Sequence, residues 1–96
     1  MNNEMTYEEL ALRIVLADCL RASQGEGPQE IRDPDSRMMA IVKGLLREKS
    51  IHASIRPDLI VLYGFTTKGQ KVYCVGGDIA PYYAITNFNQ IKEEQQ

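Results

Sequence analysis

Residues 59–77 read LIVLYGFTTKGQKVYCVGG. Two runs rich in Val, Ile, Leu, Tyr and Phe flank the polar segment Thr66-Thr67-Lys68-Gly69-Gln70. That is the pattern of an antiparallel β-hairpin with Lys68-Gly69 as its two-residue turn. The register then sets Phe65 opposite Val72, Tyr63 opposite Cys74 and Leu62 opposite Val75. A side-chain period of two puts Leu59, Val61, Tyr63 and Phe65 on one face with Val72 and Cys74. Ile60 and Leu62 share the other face with Tyr73 and Val75. Both faces are apolar. The chain's own helices can cover one, and the other calls for a second layer, a partner or another copy.

On the N-terminal side, Ile51-His52-Ala53-Ser54-Ile55-Arg56 alternates apolar and polar residues and reads as a half-buried strand. Pro57-Asp58 breaks it. Proline cannot take the positive φ of a tight primed hairpin turn, so a wider connection, or a strand that bends, is expected there. On the other side, Gly76-Gly77-Asp78 ends the third strand, as a turn or as a backbone nest for an anion. Pro81 introduces Tyr82-Tyr83-Ala84-Ile85-Thr86-Asn87-Phe88, whose β-branched and aromatic content favours a fourth strand over a short helix. Residues 89–96 are polar apart from Ile91 and read as a frayed tail.

Two helices precede the strands. Thr6-Tyr7-Glu8-Glu9 is a capping box, with Met5 and Leu10 placed as a hydrophobic staple, and the first helix runs from Tyr7 to about Ala22. Its apolar residues form three lines: Ala11, Val15, Cys19 and Ala22; Leu10, Ile14 and Ala17; and Leu12, Leu16 and Leu20. Glu9 and Arg13 mark its wet edge. A helix apolar nearly all round is buried on more than one side, and a chain this short supplies little to do that. A homodimer or a stable partner is the economical explanation. Residues 23–35 form a polar loop anchored by Ile31. Asp33-Pro34 then caps a second helix over residues 34–49, whose core face carries Met38, Ile41, Val42, Leu45 and Leu46.

The opposite face of the second helix supplies the candidate contact surface. Arg37, Ala40, Lys43, Gly44 and Arg47 share one arc, and a helix-interior glycine costs about 1 kcal/mol relative to alanine unless close approach of a partner offsets it. Charge is uneven along the chain. Lys and Arg outnumber Asp and Glu six to three over residues 32–56, whereas the first 31 residues carry two against six.

The bulk numbers bound the rest. With 96 residues, 44% hydrophobic and 25% charged, the chain makes a single globular domain spanning 1–96. A net charge of −2 supplies no overall drive toward nucleic acid or an anionic membrane. No apolar run approaches the roughly 20 residues of a membrane span. Met1-Asn2-Asn3-Glu4 lacks the basic region of a signal peptide, so a cytoplasmic protein is expected. Cys19 and Cys74 stand far apart with no CxxC motif, as two small apolar residues of a reducing compartment do. His52 has no nucleophile or orienting acid in a recognisable motif, and the glycines match no phosphate loop. No catalytic residue, cofactor or metal ligand is assigned.

Arg56-Pro57-Asp58-Leu59-Ile60-Val61, followed by a hairpin, resembles the front half of the PD-(D/E)xK nuclease pattern. That family carries an acidic residue and a lysine on the next strand to bind metal and activate water. The corresponding end here reads Val75-Gly76-Gly77-Asp78, so the resemblance implies at most a degenerate relative.

The expected fold is therefore α+β, with two helices on one face of a three- or four-stranded, mostly antiparallel sheet in the order ααβββ(β). The expected function is a non-enzymatic protein-binding module, an inhibitor, regulator or accessory subunit acting as a homodimer. Nucleic-acid binding through the basic face of the second helix is the alternative.

Overall fold

The computed structural model describes residues 6–75 and 78–79. Helix α1 (Tyr7–Arg21) starts where Thr6 accepts a hydrogen bond from the Glu9 N–H at 3.1 Å. The staple residue Met5 lies outside the described residues. After Arg21 the helix widens into a π-type turn, Ala22–Glu26, inside which Gly25 takes φ +96°. The chain then enters a short strand, β1 (Gln29–Arg32), where a polar loop is expected. Its one large apolar residue, Ile31, pairs with Ile60, and that contact makes the segment a strand.

Helix α2 (Ser36–Arg47) begins one residue after Asp35, which accepts from the Met38 N–H at 2.8 Å. The cap is thus Asp35 rather than Asp33, which bends the chain with φ +50°. At the other end the Lys49 N–H bonds to the Leu46 carbonyl and the Ser50 N–H to the Leu45 carbonyl, with Lys49 at φ +66°. That double closure is a Schellman motif, built on lysine where glycine is the usual occupant.

Strands β2 (Ile51–Arg56) and β3 (Leu59–Phe65) form the hairpin of the sheet, whose order is β1-β3-β2 and wholly antiparallel. This overturns two expectations. First, the hairpin turn is Pro57-Asp58, with Arg56 paired to Leu59 across only two residues. Neither turn residue has positive φ, so Pro57 enters with the negative φ that its ring allows, as at the first corner of an ordinary turn. The Asp58 carbonyl accepts from the Asp33 N–H at 2.9 Å and ties this turn to the entrance of α2.

Second, Lys68-Gly69 is not a turn. Residues Thr67–Tyr73 form helix α3, capped by Thr66, which accepts from the Gly69 N–H at 3.0 Å. The segment that looked like a polar loop is a helix start, and Val72 and Tyr73 ride on that helix rather than on a paired strand. Two-residue strands β4 (Cys74–Val75) and β5 (Asp78–Ile79) then pair with each other as a separate ribbon. The observed order is α-β-α-β-β-α before that ribbon, not two helices followed by strands. The fourth strand expected at 82–88, the tail at 89–96 and the Gly76-Gly77 pair lie outside the described residues.

Helices α1 and α2 cover one face of the sheet. Their Ala11, Leu12, Val15, Leu16, Cys19, Ile41, Val42 and Leu45 are buried against Ile51, Ile60 and Leu62, with Tyr73 of α3 closing the end. The other face carries Leu59, Val61 and Tyr63 between Glu30 and Arg32 on one side and Ser54 and Arg56 on the other. Alternation alone would put Phe65 there too. Instead Tyr63 is an extra residue in β3: His52 pairs with Gly64 but Ala53 with Leu62. This bulge returns Phe65 to the core side, opposite Ile51 and stacked on Tyr73 with ring centroids 6.3 Å apart. Gly64 makes it possible. Its φ is +137°, and a β-carbon there would lie 2.7 Å from the Ser23 hydroxyl that accepts from the Phe65 N–H.

Candidate functional site

The open faces of α1 and α2 adjoin at the helix entrances. The Tyr7 hydroxyl donates to the Asp35 carboxylate, and the Arg37 guanidinium lies 4.8 Å from the centre of the Tyr7 ring. The hydrogen bond from Tyr7 and that from the Met38 N–H hold the Asp35 carboxyl below the usual aspartate range. The same bond raises the Tyr7 hydroxyl. The cap of α2 and the first residue of α1 are thereby joined by one charged group.

Along α1, Tyr7, Leu10 and Ile14 are 46%, 50% and 44% exposed. They stand three and four residues apart, the spacing of one helix stripe, which half-buried Ala17 continues. Three of the four exposed large apolar side chains among the described residues lie on this one line. Helix α1 is therefore buried on two of its three apolar lines and open on the third.

On α2, Arg37, Ala40, Lys43 and Arg47 are exposed, as expected of a shared outer face. Gly44 is not among them: it is buried with Ile41, Val42 and Leu45. A groove lies beside this face. It encloses about 380 Å³ between residues 34–36, Met39 and Lys43 on the α2 side and residues 55–57 on the hairpin side. Arg56 faces Lys43 across this groove. Sequence reasoning places Arg56 on the outer side of its strand through alternation, but gives no distance between that strand end and α2.

Among the described residues, no group of three or more His, Cys, Asp or Glu is placed to hold a metal ion. Burial, aided by the neighbouring Asp18 charge, pushes the Cys19 thiol up to about 12, so at neutral pH it is a protonated core residue and not a nucleophile. Asp18 is raised by burial, against the opposing pull of the Arg21 guanidinium to which it is paired. Tyr73 is raised as well, by burial and by donating to the Glu48 carboxylate at 2.7 Å, a bond that ties α3 to the end of α2. His52 is exposed on the outer side of β2. No helix among the described residues is long and apolar enough to cross a membrane. Comparison with protein-family models, with curated proteins and with solved structures gives no match for this chain.

Proposed function

We propose that the protein is a non-enzymatic binding module, a small regulator or accessory subunit, that self-associates through the open side of α1. The observation that carries this reading is the Tyr7–Leu10–Ile14 stripe, because contiguous exposed apolar surface on a small domain marks an interaction site. Spacings of three and four are those of a helix–helix seam. Two copies packed antiparallel along it set Leu10 of each against Ile14 of the other, and the Tyr7 ring, held by Asp35 and Arg37, becomes the edge of the seam.

Leu10→Glu and Ile14→Glu test this. Both positions are half exposed, so each variant keeps the native circular dichroism spectrum and unfolds cooperatively. Each runs as a monomer where the wild type associates. Variants that fold and associate like wild type remove α1 from the interface.

A second reading has its own support. Lys43, Arg47 and Arg56 are exposed and make no ion pair among the described residues, and the Arg37 guanidinium lies over the Tyr7 ring. Cations so placed suit phosphate. On this reading the wild type shifts DNA or RNA at low ionic strength, with affinity falling steeply as salt rises, and charge reversal at Lys43 and Arg47 abolishes the shift.

A further inference from the structure

Strand β2 lies at the edge of the sheet, with β3 on one side only. One row of its backbone N–H and C=O groups therefore points away from β3. Among the described residues no backbone hydrogen bond outside the β2–β3 ladder involves residues 51–56. The groove described above lies at the α2 end of this strand. It is lined by Ile55, which faces the core, by Arg56, which faces the outer side of the sheet, and by Pro57 of the turn, so it opens where the edge of β2 meets the hairpin turn. The other wall is the side of α2 that presents Met39 and Lys43.

The two sheet edges differ in how they are protected. β1 has four residues and carries the Arg32–Glu30 ion pair, a charged, short edge of the kind that discourages strand addition. β2 has six residues, without proline, and its Ala53 and Ser54 are small. Its charges lie at one end only, as Arg56 and, across the groove, Lys43. Both are exposed, and neither has an acidic partner among the described residues. Asp35 also lines the groove, but its carboxylate is already engaged by the Tyr7 hydroxyl and the Met38 N–H.

We infer that β2 is a docking edge for an extended, acidic segment of another protein. The segment adds as a fourth strand outside β2, with main-chain hydrogen bonds to the outward groups of residues 53–56 and carboxylates on Lys43 and Arg56. Strand addition supplies affinity through the backbone, while pockets beside the edge select alternate side chains. Here the wall formed by Met39 accepts an apolar side chain, and the two cations select acids at the positions beside it. The inference rests on the protein-binding reading but not on the α1 stripe. It therefore holds or fails separately from self-association.

The test uses a short fluorescent peptide alternating glutamate and valine, added to the full-length Ile14→Glu protein at concentrations where it is monomeric. Three comparison probes accompany it: the same peptide with lysine for glutamate, the same peptide N-methylated on alternate residues, and a single-stranded oligonucleotide. The glutamate peptide binds saturably and slows amide hydrogen exchange within residues 53–56. The lysine peptide does not bind, and N-methylation abolishes binding because charge is kept while main-chain donors are lost. Lys43→Glu with Arg56→Glu weakens the glutamate peptide by about tenfold or more, without loss of fold. No saturable binding overturns the inference, as does equal binding of the N-methylated peptide. Exclusive binding of the oligonucleotide assigns the cations to nucleic acid. Protection of residues 53–56 that grows with protein concentration in the absence of peptide assigns the edge to a second copy. Either of those results overturns it too.

Discussion

Gly69 shows how one residue type can mean two things. In a hairpin turn, glycine supplies positive φ. In α3 it supplies absence of a side chain, because a β-carbon there would sit 1.9 Å from the Ser50 carbonyl oxygen. That oxygen is fixed in place, accepting from the Thr66 N–H at 3.0 Å. Backbone faces backbone, so neither side can yield cheaply. Gly69→Ala, which stabilises an exposed helix by up to about 1 kcal/mol, is here expected to destabilise by roughly 1–3 kcal/mol through overpacking, measurable by urea denaturation. Asp35 gives a second test at this scale. Its carboxyl is held below its unfolded value, so its contribution is present above the unfolded pKa and is lost as pH falls through the folded one. Asp35→Asn keeps a capping side chain but removes the titration. Thermal unfolding of that variant should change less than that of the wild type as pH is lowered from about 5 to about 2, the range that brackets an ordinary aspartate.

The elements were legible where a local signal agreed with tertiary context. α1 and the central part of α2 follow from capping residues and apolar spacing, and β2 follows from strict alternation. Helix α3 did not, because its cap, Thr66, depends on partners far along the chain: its hydroxyl donates to the Lys49 carbonyl at 2.7 Å while accepting from Gly69. With Thr66 read as a loop residue, Val72 to Val75 could only look like a strand. β1 was hidden for the opposite reason, since four residues with one apolar side chain carry almost no periodic signal. The candidate surface was half legible. Arg37, Ala40, Lys43 and Arg47 share an open helix face, but Gly44, which the same spacing places with them, is buried. The end of α2 yields a prediction of its own. Lys49 holds a left-handed conformation that glycine adopts without steric cost, and the backbone N–H groups of Lys49 and Ser50 already make both Schellman hydrogen bonds. Lys49→Gly should therefore raise stability by about 1 kcal/mol in chemical denaturation.

At the scale of the whole molecule, the helices and the sheet enclose one core, and what remains open is arranged by type. Apolar surface lies on α1 and cationic surface on α2 and the end of β2, with Tyr7, Asp35 and Arg37 at the junction. The outer side of the sheet adds Tyr63, 51% exposed because the bulge holds it away from the ladder. Twelve apolar residues are buried among the described residues, and none of the α1 stripe is one of them. On the proposed reading, Leu10 and Ile14 stand half in water because they serve contact. The most direct measurement is the molar mass of the wild-type protein by light scattering across the micromolar range. The mass is expected to rise to that of a dimer, and to stay at the monomer value throughout for Ile14→Glu. A wild-type mass that remains monomeric over the whole range, in a protein that unfolds cooperatively, would contradict self-association.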